Sequence, residues 1–204
     1  LPCHHVQSQA ERSFDGRLVF LGNILPEHGI FTCLDAVEEL AAGGVTLTIK
    51  GVLYRKRVRD KIFARYGHLI KTGTVTLDKT YVDQDKIIGF LSRFSVGFCL
   101  YDFGIISKKD FNYLSSPSGK VFNYYAAGVP VIGTDIPGLR SVKDFNAGVL
   151  LSEPSVQGIK QALKEISDRF DFYRANCFEA ARHFDFTQVV RPYRDFLIRS
   201  DSYG

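Results

Sequence analysis

Residues 116–135 read Ser116-Pro117-Ser118-Gly119-Lys120-Val121-Phe122-Asn123-Tyr124-Tyr125-Ala126-Ala127-Gly128-Val129-Pro130-Val131-Ile132-Gly133-Thr134-Asp135. How this stretch is parsed decides the fold. Gly119 to Ala127 reads as a short helix that Gly128 closes, because glycine tolerates the left-handed conformation at a helix end. Val129 to Gly133 is an apolar, β-branched run of strand length. A helix feeding directly into a buried strand is one unit of an alternating α/β chain. The start of that helix also suits an anion. Its first turn leaves unpaired N–H groups and a partial positive charge. Gly119 has no Cβ to keep a phosphate from the backbone, Ser116 and Ser118 add hydroxyls, and Lys120 adds a full charge. The alternative is an ordinary helix capped by Ser118, and the local pattern leaves the two readings even. A P-loop is excluded, since Leu114 stands where its first glycine belongs and Val121 where its Ser or Thr belongs. The GxGxxG fingerprint is also absent, and Gly22-Asn23-Ile24 does not supply it.

Outward from this segment the alternation continues. Strands are expected at Arg17 to Leu21, Val45 to Ile49, Thr74 to Leu77, Ser95 to Tyr101 and Val149 to Leu151. Helices are expected at Ile30 to Ala42, Arg55 to Tyr66, Asp83 to Arg93, Val156 to Arg169, Phe172 to Phe184 and Thr187 to Arg199. The strands are continuous apolar runs, as when helices cover both faces of a sheet. The fold class expected is therefore α/β, a doubly wound parallel sheet of Rossmann-like type. Residues 1–16 read as a linker or arm, 17–199 as one domain and 200–204 as a tail. In a Rossmann-like strand order, ligands sit where the order reverses, between the first and fourth strands. Two loops would meet there, Gly22 to Gly29 and Asp102 to Lys120.

Bulk properties narrow the function. The chain has 204 residues, enough for a sizeable core, with 45% apolar and 24% charged residues. A net charge of +4 suits anionic small molecules or an acidic membrane surface and is too weak to argue for nucleic acid. No run approaches membrane-span length and no signal peptide is visible. The first residue is Leu1, which suggests a fragment or processed product. Cys3, Cys33, Cys99 and Cys177 form no CxxC pair and read as reduced thiols in a cytoplasmic setting. His4-His5 reads as part of a disordered arm rather than a metal site. No carboxylate cluster or DxD motif stands near the loop, so no metal is expected. Arg55, Lys56, Arg57, Arg59 and Lys61 read as a solvated helix face, with acidic lipid headgroups as the sharper alternative. Lys108-Lys109 lies on the long loop. Tyr101, Tyr113, Tyr124 and Tyr125 are candidates to stack on a base or sugar, with the favoured reading for Tyr124 and Tyr125 that one of them is a core residue of the helix. Asp102 and Asp135 stand at strand ends, where a sugar contact and a turn role are equally open.

Residues 116–135 as a whole resemble the donor-site segment of GT-B glycosyltransferases of the group 1 type. There a Ser-Pro-x-Lys-type loop, a helix reading Phe-Glu-Tyr-x-Ala-Ala-Gly and a Pro-Val-Ile strand follow one another. Leu18 to Gly29 resembles that family's opening strand and Gly-x-x-x-Pro-Glu-x-Gly turn, and Phe184 to Phe196 its closing helix. The resemblance covers residues 17–199 and is specific between 112 and 138. It implies a donor-binding, C-terminal half of a two-domain architecture, a UDP- or GDP-sugar as donor substrate, no resident cofactor, and an N-terminal acceptor domain as partner. It implies a place in polysaccharide biosynthesis, with peripheral contact at the inner membrane face. Gly22, Asn23, His28, Ser116, Ser118, Gly119, Lys120 and Val121 fall where the family holds the diphosphate, and Asn123 where it holds the ribose. Asn123 replaces a glutamate, so its contact is weaker. Ser115 stands where a retaining Glu pair would begin, and that pair is absent. Asn23 and His28 replace an Arg and a Lys. No catalytic residue is assigned, since the general base of an inverting mechanism comes from the other domain. Two alternatives remain: a nucleotide-sugar epimerase of the same fold, and a non-catalytic nucleotide-binding module.

Overall fold

The structure is a computed structural model that describes residues 12–106, 114–115, 118–191 and 193. Ser116, Lys108-Lys109, Tyr113, His4-His5, Cys3 and the 200–204 tail lie outside the described residues. In chain order the strands are β1 Arg17–Leu21, β2 Thr46–Lys50, β3 Val75–Asp78, β4 Val96–Cys99, β5 Val131–Thr134 and β6 Gly148–Leu151. The helices are α1 Ile30–Leu40, α2 Lys56–Lys71, α3 Ile87–Leu91, α4 Gly119–Ala126, α5 Arg140–Asp144, α6 Val156–Asp168 and α7 Phe170–His183. The strands form one parallel sheet in the order β3-β2-β1-β4-β5-β6. This is the doubly wound Rossmann-like order, and it reverses between β1 and β4.

Strand alternation divides β1, β4, β5 and β6 between two cores. Leu18 and Phe20 of β1 join the cluster under α1, α2 and α6, while Val19 joins the cluster under α3, α4 and α7. Gly97 of β4 permits the tight approach of α4: a Cβ there would stand 2.6 Å from the Tyr124 ring. Tyr124 and Tyr125 are both fully buried, so both are core residues. Cys33, Cys99 and Cys177 are buried free thiols.

Several boundaries differ from the sequence expectation. Helix α2 runs past Tyr66 to Lys71, because Leu69 continues the buried stripe of Val58, Ile62 and Tyr66. Helix α3 starts late, after a turn in which Lys86 N–H donates to Asp83 O at 2.9 Å. The Pro137–Leu139 turn and α5 were not foreseen; they form one short unit under β5 and β6. Residues 12–16 pack on the domain. Phe14 meets the Phe170 ring edge-on at 5.9 Å. Arg12 donates to the carbonyls of Ser92, Arg93 and Phe94, which end α3.

Candidate functional site

The two loops named from the sequence meet at the strand reversal. Gly22 follows β1 with φ of 108°, a conformation that favours glycine, and its N–H donates to Lys50 O at 2.9 Å. Ile24 N–H donates to Val52 O at 3.1 Å, so the turn is held from β2. Gly51 makes this possible, because a Cβ there would lie 1.8 Å from Gly22 O. The chain then makes a 3-10 turn, Pro26–His28, and enters α1 through Gly29. On the β4 side, Asp102 N–H donates to Glu27 O at 2.9 Å. Buried Thr134 holds the same exit, accepting from Tyr101 N–H at 2.8 Å and donating to Tyr101 O at 3.0 Å.

Lys120, in the first turn of α4, reaches across to this point. A Cβ built on Gly22 would stand 3.8 Å from Lys120 Nζ, and the ammonium lies 5.8 Å from the Phe20 ring centroid. Lys120 makes no ion pair among the described residues. Ser118 occupies the N-cap position with extended backbone, yet its side chain makes no cap bond. The ordinary-cap reading of Ser118 therefore lacks its hydrogen bond. Val121 N–H donates to Ser118 O at 3.0 Å, whereas the N–H groups of Gly119 and Lys120 have no partner among the described residues. The space where a Gly119 Cβ would project is open to 4 Å. A cation beside two first-turn N–H groups, none of them paired among the described residues, is an arrangement whose chemistry suits an anion. Asn123 lies one turn along α4, half-buried, with its side-chain amide unbonded among the described residues.

His28 and Asn23 flank Lys120 from the β1 side. His28 Nδ1 lies 3.0 Å from Asn23 O, and since a carbonyl only accepts, Nδ1 carries the proton. The His28 ring stands edge-on to Tyr101 at 5.6 Å. Burial lowers the His28 pKa below 6.5, and the Lys120 charge lowers it further, against the Asn23 carbonyl and Glu27. His28 is therefore mostly neutral at pH 7 in the unliganded protein. The Asn23 side chain is exposed.

Other residues singled out from the sequence fall elsewhere. Asp102 Oδ1 accepts Gly104 N–H at 2.9 Å, which gives it the turn role. Asp135 is exposed beyond β5. The basic face of α2 is exposed, with Arg55 paired to Glu27, Arg59 to Asp60 and Arg65 to Asp35. Sequence reasoning missed Lys50, a buried lysine at the end of β2 paired with Asp78. The signal available was a charged residue at the last position of each of two neighbouring strands.

No protein-family model and no curated protein matches the chain. Solved structures do match in fold. AviGT4, a glycosyltransferase involved in avilamycin A biosynthesis, superposes with a TM-score of 0.63 at 18% identity over 92% of this chain. The pneumococcal O-GlcNAc transferase GtfA, in complex with UDP and GlcNAc, superposes with a TM-score of 0.69 at 16% identity over 96% of this chain. The chain spans 52% of AviGT4 and 38% of GtfA. The C-terminal domain of LpcC, a group 1 glycosyl transferase from Francisella tularensis, gives a TM-score of 0.64 at 12% identity, covering 85% of this chain and 88% of that domain. The chain thus has the Rossmann-like fold of one half of the GT-B architecture. Among the described residues no helix is long and apolar enough to cross a membrane.

Proposed function

We propose that this chain is the donor-binding half of a glycosyltransferase, holding a UDP- or GDP-sugar with its diphosphate between the Gly22 turn and the start of α4. The observation that carries the reading is Lys120, an ammonium without an ion-pair partner among the described residues, beside Gly22 at the strand reversal. Transfer of a sugar leaves a nucleoside diphosphate, and the bond-breaking step builds negative charge on it. Lys120 and the N–H groups of Gly119 and Lys120 would meet that charge without reorganising, which is how a prearranged site lowers a barrier. Gly22, Asn23, His28, Ser116 and Ser118 would complete the diphosphate contacts, with Val121 lending its place in the first turn. Asn123 would hold the ribose by hydrogen bonds that lack the charge of a carboxylate.

The chain spans 52% of the AviGT4 chain and 38% of the GtfA chain it superposes on, which supports pairing with a second Rossmann-like domain that binds the acceptor. Lys56, Arg57 and Lys71 of α2, exposed and without an ion pair among the described residues, support a peripheral contact with acidic lipid at the cytoplasmic membrane face. Flotation with anionic and neutral vesicles tests that contact, and equal recovery from both removes it. Calorimetric titration with UDP, GDP and ADP tests the donor site. Binding of UDP or GDP is expected, and no heat from any of the three, with the fold intact by circular dichroism, ends the proposal.

A further inference from the structure

Lys50 ends β2 and is 4% exposed. Its ammonium donates to Asp78 Oδ2 at 2.8 Å and to Thr80 Oγ1 at 2.6 Å. The Thr80 hydroxyl donates onward to Asp78 Oδ1 at 2.7 Å, and the Thr80 N–H reaches the same oxygen at 2.9 Å. The three side chains close a ring of charge-assisted hydrogen bonds. Phe90 of α3 covers the ammonium, with its ring centroid 5.0 Å from Nζ. Burial opposes ionisation of Asp78, but hydrogen bonds from Lys50 and Thr80 outweigh it and bring its pKa down to about 2.

An apolar residue could fill a buried strand end without the desolvation cost of an ammonium. What Lys50 adds is a connection. Its own carbonyl accepts the Gly22 N–H at 2.9 Å, and Gly51 N–H donates to Asp78 O at 3.2 Å. One residue therefore holds the Gly22 turn through its backbone and the loop after β3 through its side chain. That loop leads into α3, which packs on α4, the helix that carries Lys120.

We infer that Lys50 is a positioning residue that holds the Gly22 turn and the loop after β3 at a fixed separation across β2. Its consequence for binding rests on the donor-site reading; the tie itself does not.

Amide hydrogen exchange on the 204-residue chain separates the two, comparing wild type with Lys50→Met, Thr80→Val and Thr80→Ser. Lys50→Met is expected to speed exchange at Gly22 and at residues 79–82 by about tenfold or more, as when a charge-assisted hydrogen bond is lost. Exchange in β4 and β5 stays at the wild-type rate. Thr80→Val moves the same amides less, and Thr80→Ser, which keeps the hydroxyl, stays near wild type. Faster exchange at 79–82 with Gly22 unmoved overturns the tie. So does uniform acceleration across the sheet, which is plain loss of stability. UDP titration of the same four proteins then reads the consequence. Affinity about tenfold weaker in Lys50→Met and near wild type in Thr80→Ser supports positioning. Unchanged affinity in Lys50→Met overturns the role in binding. A wild type that binds no UDP ends the donor-site reading, while the exchange result still decides the tie.

Discussion

The amino-terminal end of the sheet and the strand reversal between β1 and β4 treat charge differently. At the amino-terminal end, Asp15 accepts from Arg12, Arg17 and Ser95, while Arg12 also fills three carbonyls at the end of α3. Each of those charged groups has a partner within the domain. At the strand reversal, Lys120, the first two N–H groups of α4 and the side chains of Ser118, Asn23 and Asn123 have none among the described residues. A folded chain satisfies the polar groups that stability depends on, so polar groups left open are available to a ligand or to water. The amino-terminal end is matched within the fold, as are the carboxyl ends of β2 and β3 through Lys50 and Asp78, and the strand reversal is the place left open among the described residues.

The largest expected effect comes from a substitution that displaces the Gly22 turn itself. Gly51→Ala would drive a Cβ to 1.8 Å from Gly22 O, a backbone atom that cannot move aside without shifting the turn. Overpacking of this kind costs roughly 3 kcal/mol or more. Urea unfolding should show that loss, and UDP binding should fail with it. A stable Gly51→Ala protein that binds UDP normally would mean that the turn is looser than its glycines imply.

A pair of substitutions at opposite ends sharpens the contrast. Lys120→Ala should weaken UDP binding roughly 10- to 100-fold, the worth of a charged hydrogen bond, with little change in the unfolding midpoint. It should weaken binding of uridine, which has no phosphate, far less. Arg12→Ala should do the reverse, costing about 1–3 kcal/mol of stability through stranded carbonyls and leaving UDP affinity unchanged. Equal losses of UDP and uridine binding in Lys120→Ala would turn that lysine into another structural group.

The matched carboxylates also predict an acid limb. Burial raises the Asp15 pKa, but hydrogen bonds from Arg17, Ser95 and Arg12 outweigh it, and the folded value lies well below the ordinary 3.8. A carboxylate depressed in the folded state stabilises the protein above its unfolded pKa. That contribution fades as pH falls from about 4 toward the folded value. Asp78, at about 2, adds to the same limb. Unfolding midpoints measured between pH 5 and 2 should fall less steeply in Asp15→Asn than in wild type. Parallel curves would remove Asp15 from the account.

The sheet and the meeting of its two loops were legible in the sequence because they depend on local pattern. β-branched runs, the Gly128 stop and the alternation of elements carry that information chain-wide. Lys120 was legible as well, since its neighbours Ser118 and Gly119 are small and its charge stands out. Lys50 was not. A lysine at a strand end reads as solvated, and its partners Asp78 and Thr80 lie 28 and 30 residues away. Only the register of β2 on β3, which sets Lys50 opposite Asp78, makes them neighbours. The anchoring of Arg12 was hidden for the same reason, as its acceptors lie about eighty residues downstream. Long-range polar pairing leaves no periodic trace, whereas burial does.

The smallest effect tests whether the open end is one site or several separate groups. Lys120 lowers the His28 pKa through space, so the two side chains share an electrostatic environment although no bond joins them. Lys120→Ala should therefore move the His28 titration upward, as followed by NMR of the ring protons. Burial, the larger cause, is untouched, so the value should remain below that of an exposed histidine. A bound diphosphate should move the titration the same way, because its negative charge opposes that of Lys120 and favours the imidazolium. By linkage, UDP binding near the His28 pKa should then take up protons, and affinity should strengthen as pH falls through that range. If His28 titrates identically in wild type, in Lys120→Ala and with UDP bound, then His28 and Lys120 do not face the same ligand. The diphosphate site would then reduce to the start of α4 alone.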